Sequence, residues 1–457
     1  MTSAPPSAAA DASLKWHVGR TLSLAWPVMG ARIGMILMIT VDSIMAGQAG
    51  KTALAHYGIS LAPHVFVLVV GIGFLVGTIV LVGQADGAGR SRECGAIWHR
   101  SMMIAAGLGV VFGAFLLFGE TILLLLGQSE SMAAGGGRAL LWFAPGMPAA
   151  MMYLATSFFL EGIGRPHAGM VVSLLGNLPN AALNWLLIEG HMGAPAMGAA
   201  GATLATTVTR WIILAALVAY VFRMADGERY GVRAAHAAGW QMVRRLARLG
   251  TPLAVATGLE SASFMTMASF AGRLGETQMA AYQACMNVVS FAFMLAIGLS
   301  TATSVRAANA VGRGDRRGLA LAGWLGFALL VALMLLLSVL VVWQRDFLAS
   351  LYSDVDEVRA IARAGYFWVA AVLMFDGGQA VLMGAHRGAA DVMVPTAMQG
   401  FAFWGVGVPV AYILAFQIGF GVQGILAGIF AGMAVSMLLL AARFTVVSRR
   451  PVAAAYT

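Results

Sequence analysis

Apolar runs of about twenty residues, the length a helix needs to cross a bilayer, recur from Thr21 to the end of this 457-residue chain. Only short polar stretches separate them, so the chain reads as polytopic. Inside hydrocarbon every backbone N–H and C=O must be satisfied internally, which leaves helices or a closed barrel. A barrel would show short segments of alternating polarity, whereas VALMLLLSVLVVW (331–343) does not alternate. Sixty per cent of the residues are hydrophobic and 10% charged, against about a quarter charged in soluble domains. The expectation is an all-α membrane protein with twelve transmembrane helices, near 21–47, 53–82, 98–119, 138–160, 168–189, 196–222, 246–272, 277–308, 319–343, 360–385, 393–418 and 421–446.

Alternate connections carry the basic residues. Lys15, Arg20, Arg90, Arg92, Arg100, Arg165, the cluster from Arg223 to Arg248, Arg306 to Arg317, Arg387 and Arg443 to Arg450 fall on one side. The positive-inside rule makes that side cytoplasmic and puts both termini there. The formal net charge of +9 therefore reports orientation and headgroup contact rather than nucleic-acid binding. The longest polar connection divides the chain into a tail (1–20), an N lobe (21–222), an inter-lobe loop (223–245), a C lobe (246–446) and a second tail (447–457). Residues 1–20 lack the charged leader and short apolar core of a signal peptide and read as an unstructured cytoplasmic tail. Cys94 and Cys285 have neither metal-type spacing nor an evident reason to pair.

The two halves repeat. Pro27 answers Pro252 at an offset of 225, and the same offset pairs Ala46-Gly47 with Ala271-Gly272, Tyr57 with Tyr282, Phe66 with Phe291, Gly73 with Gly298 and Gly87 with Gly312. Both halves start on the cytoplasmic side, so the repeats run parallel, an arrangement that predicts two pseudo-symmetric six-helix lobes around a central cavity and suits alternating access.

An ionised side chain at mid-membrane costs at least about 2.5–3.5 kcal/mol, so an acid kept there is a functional candidate. Glu260 in span seven and Asp376 in span ten fall close to the midplane; Asp42 lies about 12 Å outward of the centre of span one at 1.5 Å per residue. Glu161 and Glu189 fall at span ends, where solvation is cheap. Two acids at one depth in one lobe could share a proton or supply oxygens to a sodium ion. Arg32 is ten residues from Asp42, too far to neutralise it. Asn180 and Asn184 share one helical face, with helix–helix hydrogen bonding as the competing use. His64 and His386 have no partner at metal spacing and read as packing or interfacial residues. Met35, Met38 and Met286 are adaptable side chains suited to a promiscuous cavity.

VDSIMAGQAG (41–50), ADGAGR (85–90), AAYQACMNVVSFAFMLAIGLSTATSVRAANAVGRGD (280–315) and MGAHRGAADVMVP (383–395) resemble the multidrug and toxic compound extrusion (MATE) family, and within it the NorM branch. The resemblance implies an antiporter, without cofactor, that exports hydrophobic, mostly cationic organic compounds in exchange for H+ or Na+. On it, Glu260 and Asp376 match the acidic pair of the branch's cation site, where Na+ could bind. Asp42 matches the N-lobe acid, and Asn180 and Asn184 the polar positions near it. Some members have aspartate where Asn184 stands, and Val372 stands where the branch has a tyrosine. Tyr57, Tyr282, Gln283 and Asn287 complete the expected polar lining. The partners implied are small organic cations and lipid, not nucleic acid, for a chain working as a monomer in a bacterial-type inner membrane. An enzyme would need a nucleophile with its base or a metal cluster, and neither appears. A flippase for lipid-linked or amphipathic metabolites is the closer rival, but it would want several cavity arginines, and only Arg32 and Arg210 lie within spans.

Overall fold

The computed structural model describes residues 14–234, 239–352 and 355–450, and every regular element among them is helical. Twelve long helices follow one another: α1 Leu14–Gln48, α2 Lys51–Gly87, α3 Glu93–Leu117, α4 Glu130–Gly162, α5 His167–Ile188, α6 Ala199–Arg223, α7 Trp240–Arg273, α8 Glu276–Gly312, α9 Arg316–Trp343, α10 Asp356–Gly388, α11 Met393–Gln417 and α12 Val422–Val447. Eleven of them are long and apolar enough to cross a membrane. The exception, α7, has the length, at 34 residues. Its hydropathy is lowered by Arg244, Arg245 and Arg248 at one end and by Thr251, Thr257, Glu260, Ser261 and Ser263 further along.

Helix α1 starts at Leu14, inside the segment read as an unstructured tail. Its first turns are held by Arg306 of α8, whose guanidinium donates to the His17 carbonyl (3.3 Å) and the Thr21 hydroxyl and lies 2.6 Å from His17 Nδ1. Residues 1–13 and 451–457 of the two expected tails, and 235–238 of the inter-lobe loop, lie outside the described residues.

The chain forms two compact units, one of Pro27–Ala254 and the other of the residues up to Trp26 together with those from Val255 onward. Both boundaries fall beside a proline inside a helix, Pro27 in α1 and Pro252 in α7, where a missing backbone donor weakens the helical ladder.

In the N-terminal unit α1 and α5 climb side by side. Ser173 Oγ donates to the Ala31 carbonyl (2.9 Å) and Asn177 Nδ2 to the Gly34 carbonyl (3.1 Å), one turn further along both helices. Gly34 allows that approach, since a Cβ there would meet Ser173 Oγ at 2.6 Å. The connection after α6 is not simply solvated. Tyr230 and Val232 are buried, and the Tyr230 carbonyl accepts from Gly95 N of α3 at 2.8 Å. Burial, above all, pushes the Tyr230 hydroxyl up to about 12.

In the C-terminal unit the short connection between α10 and α11 is clamped to α12. Arg443 donates to both oxygens of Asp391 at 3.0 Å each, and His386 Nδ1 lies 3.0 Å from the same carboxylate. Burial would raise the Asp391 carboxyl, but the bonds from His386 and Arg443 outweigh it and hold it down to about 2. Helix α11 widens to π-helical turns at Phe401–Gly407 and Ile413–Gln417, on either side of the stretch containing Pro409. Such turns absorb the donor that proline lacks.

Candidate ion-coupling sites

The register of α1 on α5 carries Asp42 to Asn184. Asn184 Nδ2 donates to Asp42 Oδ1 at 2.6 Å, while Oδ2 accepts from Tyr57 Oη of α2 at 3.1 Å and from the Thr206 hydroxyl of α6. Asn180 closes the cluster: its Oδ1 accepts from Asn184 Nδ2 (3.3 Å) and its Nδ2 reaches Thr206 Oγ1 (3.4 Å). Asp42, Asn180 and Asn184 are each 0% exposed. Neutral donors from three other helices thus replace the water a carboxylate loses on burial. Asp42, Tyr57, Asn180 and Asn184 come together from three helices, α1, α2 and α5, and Thr206 adds a fourth, α6. Thr206 was not anticipated, because a threonine within TLATTVTR carries no signal until α6 is set against α1.

Among the described residues of this unit Arg32 and Glu161 are also buried, and Arg210 is partly so. Glu161 is 2% exposed, not a solvated span end: α4 continues past it to Gly162, and its Oε1 lies 3.6 Å from Arg32 and accepts from Ser157 at 3.1 Å. The Arg32 guanidinium also lies 5.4 Å from the centre of the Phe158 ring. Arg210, one turn beyond Thr206, sits 2.8 Å from His64 Nε2, and His64 stacks on Phe143 with ring centres 4.0 Å apart. His64 and His386 therefore have polar partners as well as packing ones. Among the described residues no group of three metal-ligating side chains forms, and Cys94 and Cys285 are free and buried.

In the C-terminal unit Glu260 projects from α7, and Asp376 and Gln379 lie one turn apart on α10. Gln379 Nε2 donates to Glu260 Oε1 at 3.2 Å and to Asp376 Oδ1 at 3.3 Å. Gln379 Oε1 accepts from Gln399 Nε2 of α11 (2.8 Å) and from Ser436 Oγ of α12 (3.0 Å). Helix α7 is positioned against α11 by Trp404 Nε1, which donates to the Leu259 carbonyl at 3.0 Å. Asp376 is 3% exposed and Glu260 partly buried. Val372 is buried and offers no oxygen. Tyr282 is buried in α8 while Gln283 and Asn287 are exposed; among the described residues none of the three is hydrogen-bonded to either acid. Gln379, Gln399 and Ser436 were not singled out from the sequence, since neutral polar residues are ordinary in membrane helices.

The MatE family profile matches residues 27–186 and 252–413, once in each half. A multidrug resistance protein NorM of Burkholderia vietnamiensis is 32% identical over 446 residues, 96% of each chain. A protein named NorM from Xanthomonas axonopodis pv. citri (strain 306) is 30% identical over 452 residues, 98% of each chain. Among solved structures, the eukaryotic MATE transporter AtDTX14 shares the fold with a TM-score of 0.86 at 20% identity, over 95% of this chain and 97% of its own. An outward-facing multidrug resistance MATE family transporter of the MOP superfamily gives 0.84 at 17% identity, over 94% and 96%. Its sequence and its two-lobed helical fold agree: the chain belongs to the MatE family, whose members are membrane transporters and not enzymes.

Proposed function

We propose that the chain is a secondary active antiporter that exports hydrophobic, mostly cationic organic compounds in exchange for protons or sodium ions. The observation that carries this reading is the pair Glu260 and Asp376, both bonded to the single nitrogen Gln379 Nε2 and, among the described residues, neither in an ion pair. Two carboxylates with only a neutral donor between them leave room for a positive charge, supplied in turn by a coupling ion or a cationic substrate. Exclusion of one by the other, combined with alternating access of the two lobes, yields antiport. Asp42, ringed by Tyr57, Asn180, Asn184 and Thr206, is a second group whose charge or partners can change with conformation. Tyr282, Gln283 and Asn287 are assigned to the substrate path.

The names of the relatives support drug-like substrates, and the distribution of arginines supports cytoplasmic termini in a bacterial inner membrane, with one chain as the working unit. The flippase reading gains nothing, because Arg32 and Arg210 are engaged by Glu161 and His64 rather than free to hold a pyrophosphate. Glu260→Gln and Asp376→Asn, made in normal amounts, are expected to lower efflux of a fluorescent organic cation from cells by about tenfold or more. Wild-type efflux in both variants would contradict the proposal.

A further inference from the structure

Resting on the antiport reading, the geometry points to Gln379 as the residue that makes the Glu260–Asp376 pair accept protons and turn away sodium. Its Nε2 stands within 3.2 Å of one carboxylate and 3.3 Å of the other, so its two hydrogens face the oxygens between which a bridging cation would sit. Hard cations are held by oxygen ligands, and an amide N–H presents the wrong end of its dipole. Sodium could enter only if the amide turned over.

The other end of the side chain opposes that turn. Gln379 Oε1 accepts from Gln399 Nε2 at 2.8 Å and from Ser436 Oγ at 3.0 Å, and the three residues are 1%, 4% and 0% exposed. Inverting the amide would set its N–H against that of Gln399 and break the shorter of the two bonds where no water replaces it, with only the Ser436 hydroxyl able to turn and accept. A proton meets no such obstacle: it attaches to a carboxylate oxygen and leaves the amide where it is. Val372, buried and apolar, supplies no substitute oxygen. The remaining charged group acting on Glu260 is Arg387, held by Ser300 Oγ at 2.8 Å. The oxygens of the pair, the donor between them and the two residues that fix the donor thus form one device for choosing the ion.

The full-length protein in proteoliposomes, with a fluorescent organic cation, separates the possibilities. Uptake is compared under a proton gradient without sodium and under a sodium gradient at equal pH. Wild type is expected to respond to protons, with a sodium-driven rate at least about tenfold lower. Gln379→Glu puts an oxygen where the nitrogen stands, and the double variant Gln399→Leu with Ser436→Ala frees the amide to turn; each should raise the sodium-driven rate about tenfold. Sodium driving wild type as well as protons do would overturn the assignment and leave antiport standing. Both variants folded, proton-driven and still indifferent to sodium would overturn it too. No uptake under either gradient would remove the antiport reading and this one with it.

Discussion

The carboxylate of Asp42 draws its donors from α2, α5 and α6, and each donor is part of what lets a charge stay in an apolar unit. Thr206→Val removes one of them and is expected to destabilise the purified protein by about 1–3 kcal/mol, seen as a lower Tm; an unchanged Tm would contradict the bond's role. Asp42→Asn keeps the shape and should remain folded while reducing export, so undiminished dye efflux at normal protein levels would count against a coupling role. Arg32 and Glu161 give a second test at this scale. Either single variant, Arg32→Met or Glu161→Gln, strands a buried charge at about 3–5 kcal/mol. The double variant should cost less than the sum of the two, and strictly additive losses in thermal unfolding would show that the two side chains do not pair. The acids Asp42, Glu260 and Asp376 were legible because a carboxylate in an apolar run is conspicuous. Thr206, Gln399 and Ser436 were not, because a neutral polar side chain becomes part of a site only through the register of helices distant in sequence. Glu161 was misjudged for a related reason: Arg32, its partner, lies 129 positions earlier in the chain.

At the level of helices, all twelve expected spans coincide with long helices, eleven of them because a run of about twenty apolar residues leaves the backbone little choice, while α7 has the length but not that hydropathy. Hydropathy did not see that α1 reaches back to Leu14, since what holds those turns is Arg306 of α8. Nor did it see the clamp on the α10–α11 connection. With its carboxyl held at about 2 against an ordinary 3.8, Asp391 contributes stability that is present above about pH 4 and fades as the pH falls toward 2. Asp391→Asn should therefore lower the Tm at neutral pH, with the gap to wild type narrowing under acid. A gap that holds between pH 6 and pH 5 and shrinks from about pH 4 toward pH 2 is expected, whereas one already closed at pH 5 would show that the bonds from Arg443 and His386 do not hold the carboxylate.

At the scale of the whole molecule, the repeat at an offset of 225 accords with a fold of two compact units, whose boundaries fall beside Pro27 and Pro252. What the repeat could not convey is that the two units are chemically unlike. One surrounds a single carboxylate with neutral donors; the other bonds two carboxylates to one amide. Antiport is a claim about reciprocity, so it is tested most directly by reversing the driving force. Proteoliposomes holding the wild-type protein, loaded with an organic cation and diluted into medium without it, are followed with a pH indicator and, in parallel, a sodium indicator. Efflux of the cation is expected to drive an ion inward, and Glu260→Gln to abolish this movement; efflux with no ion moving in the opposite direction would contradict antiport.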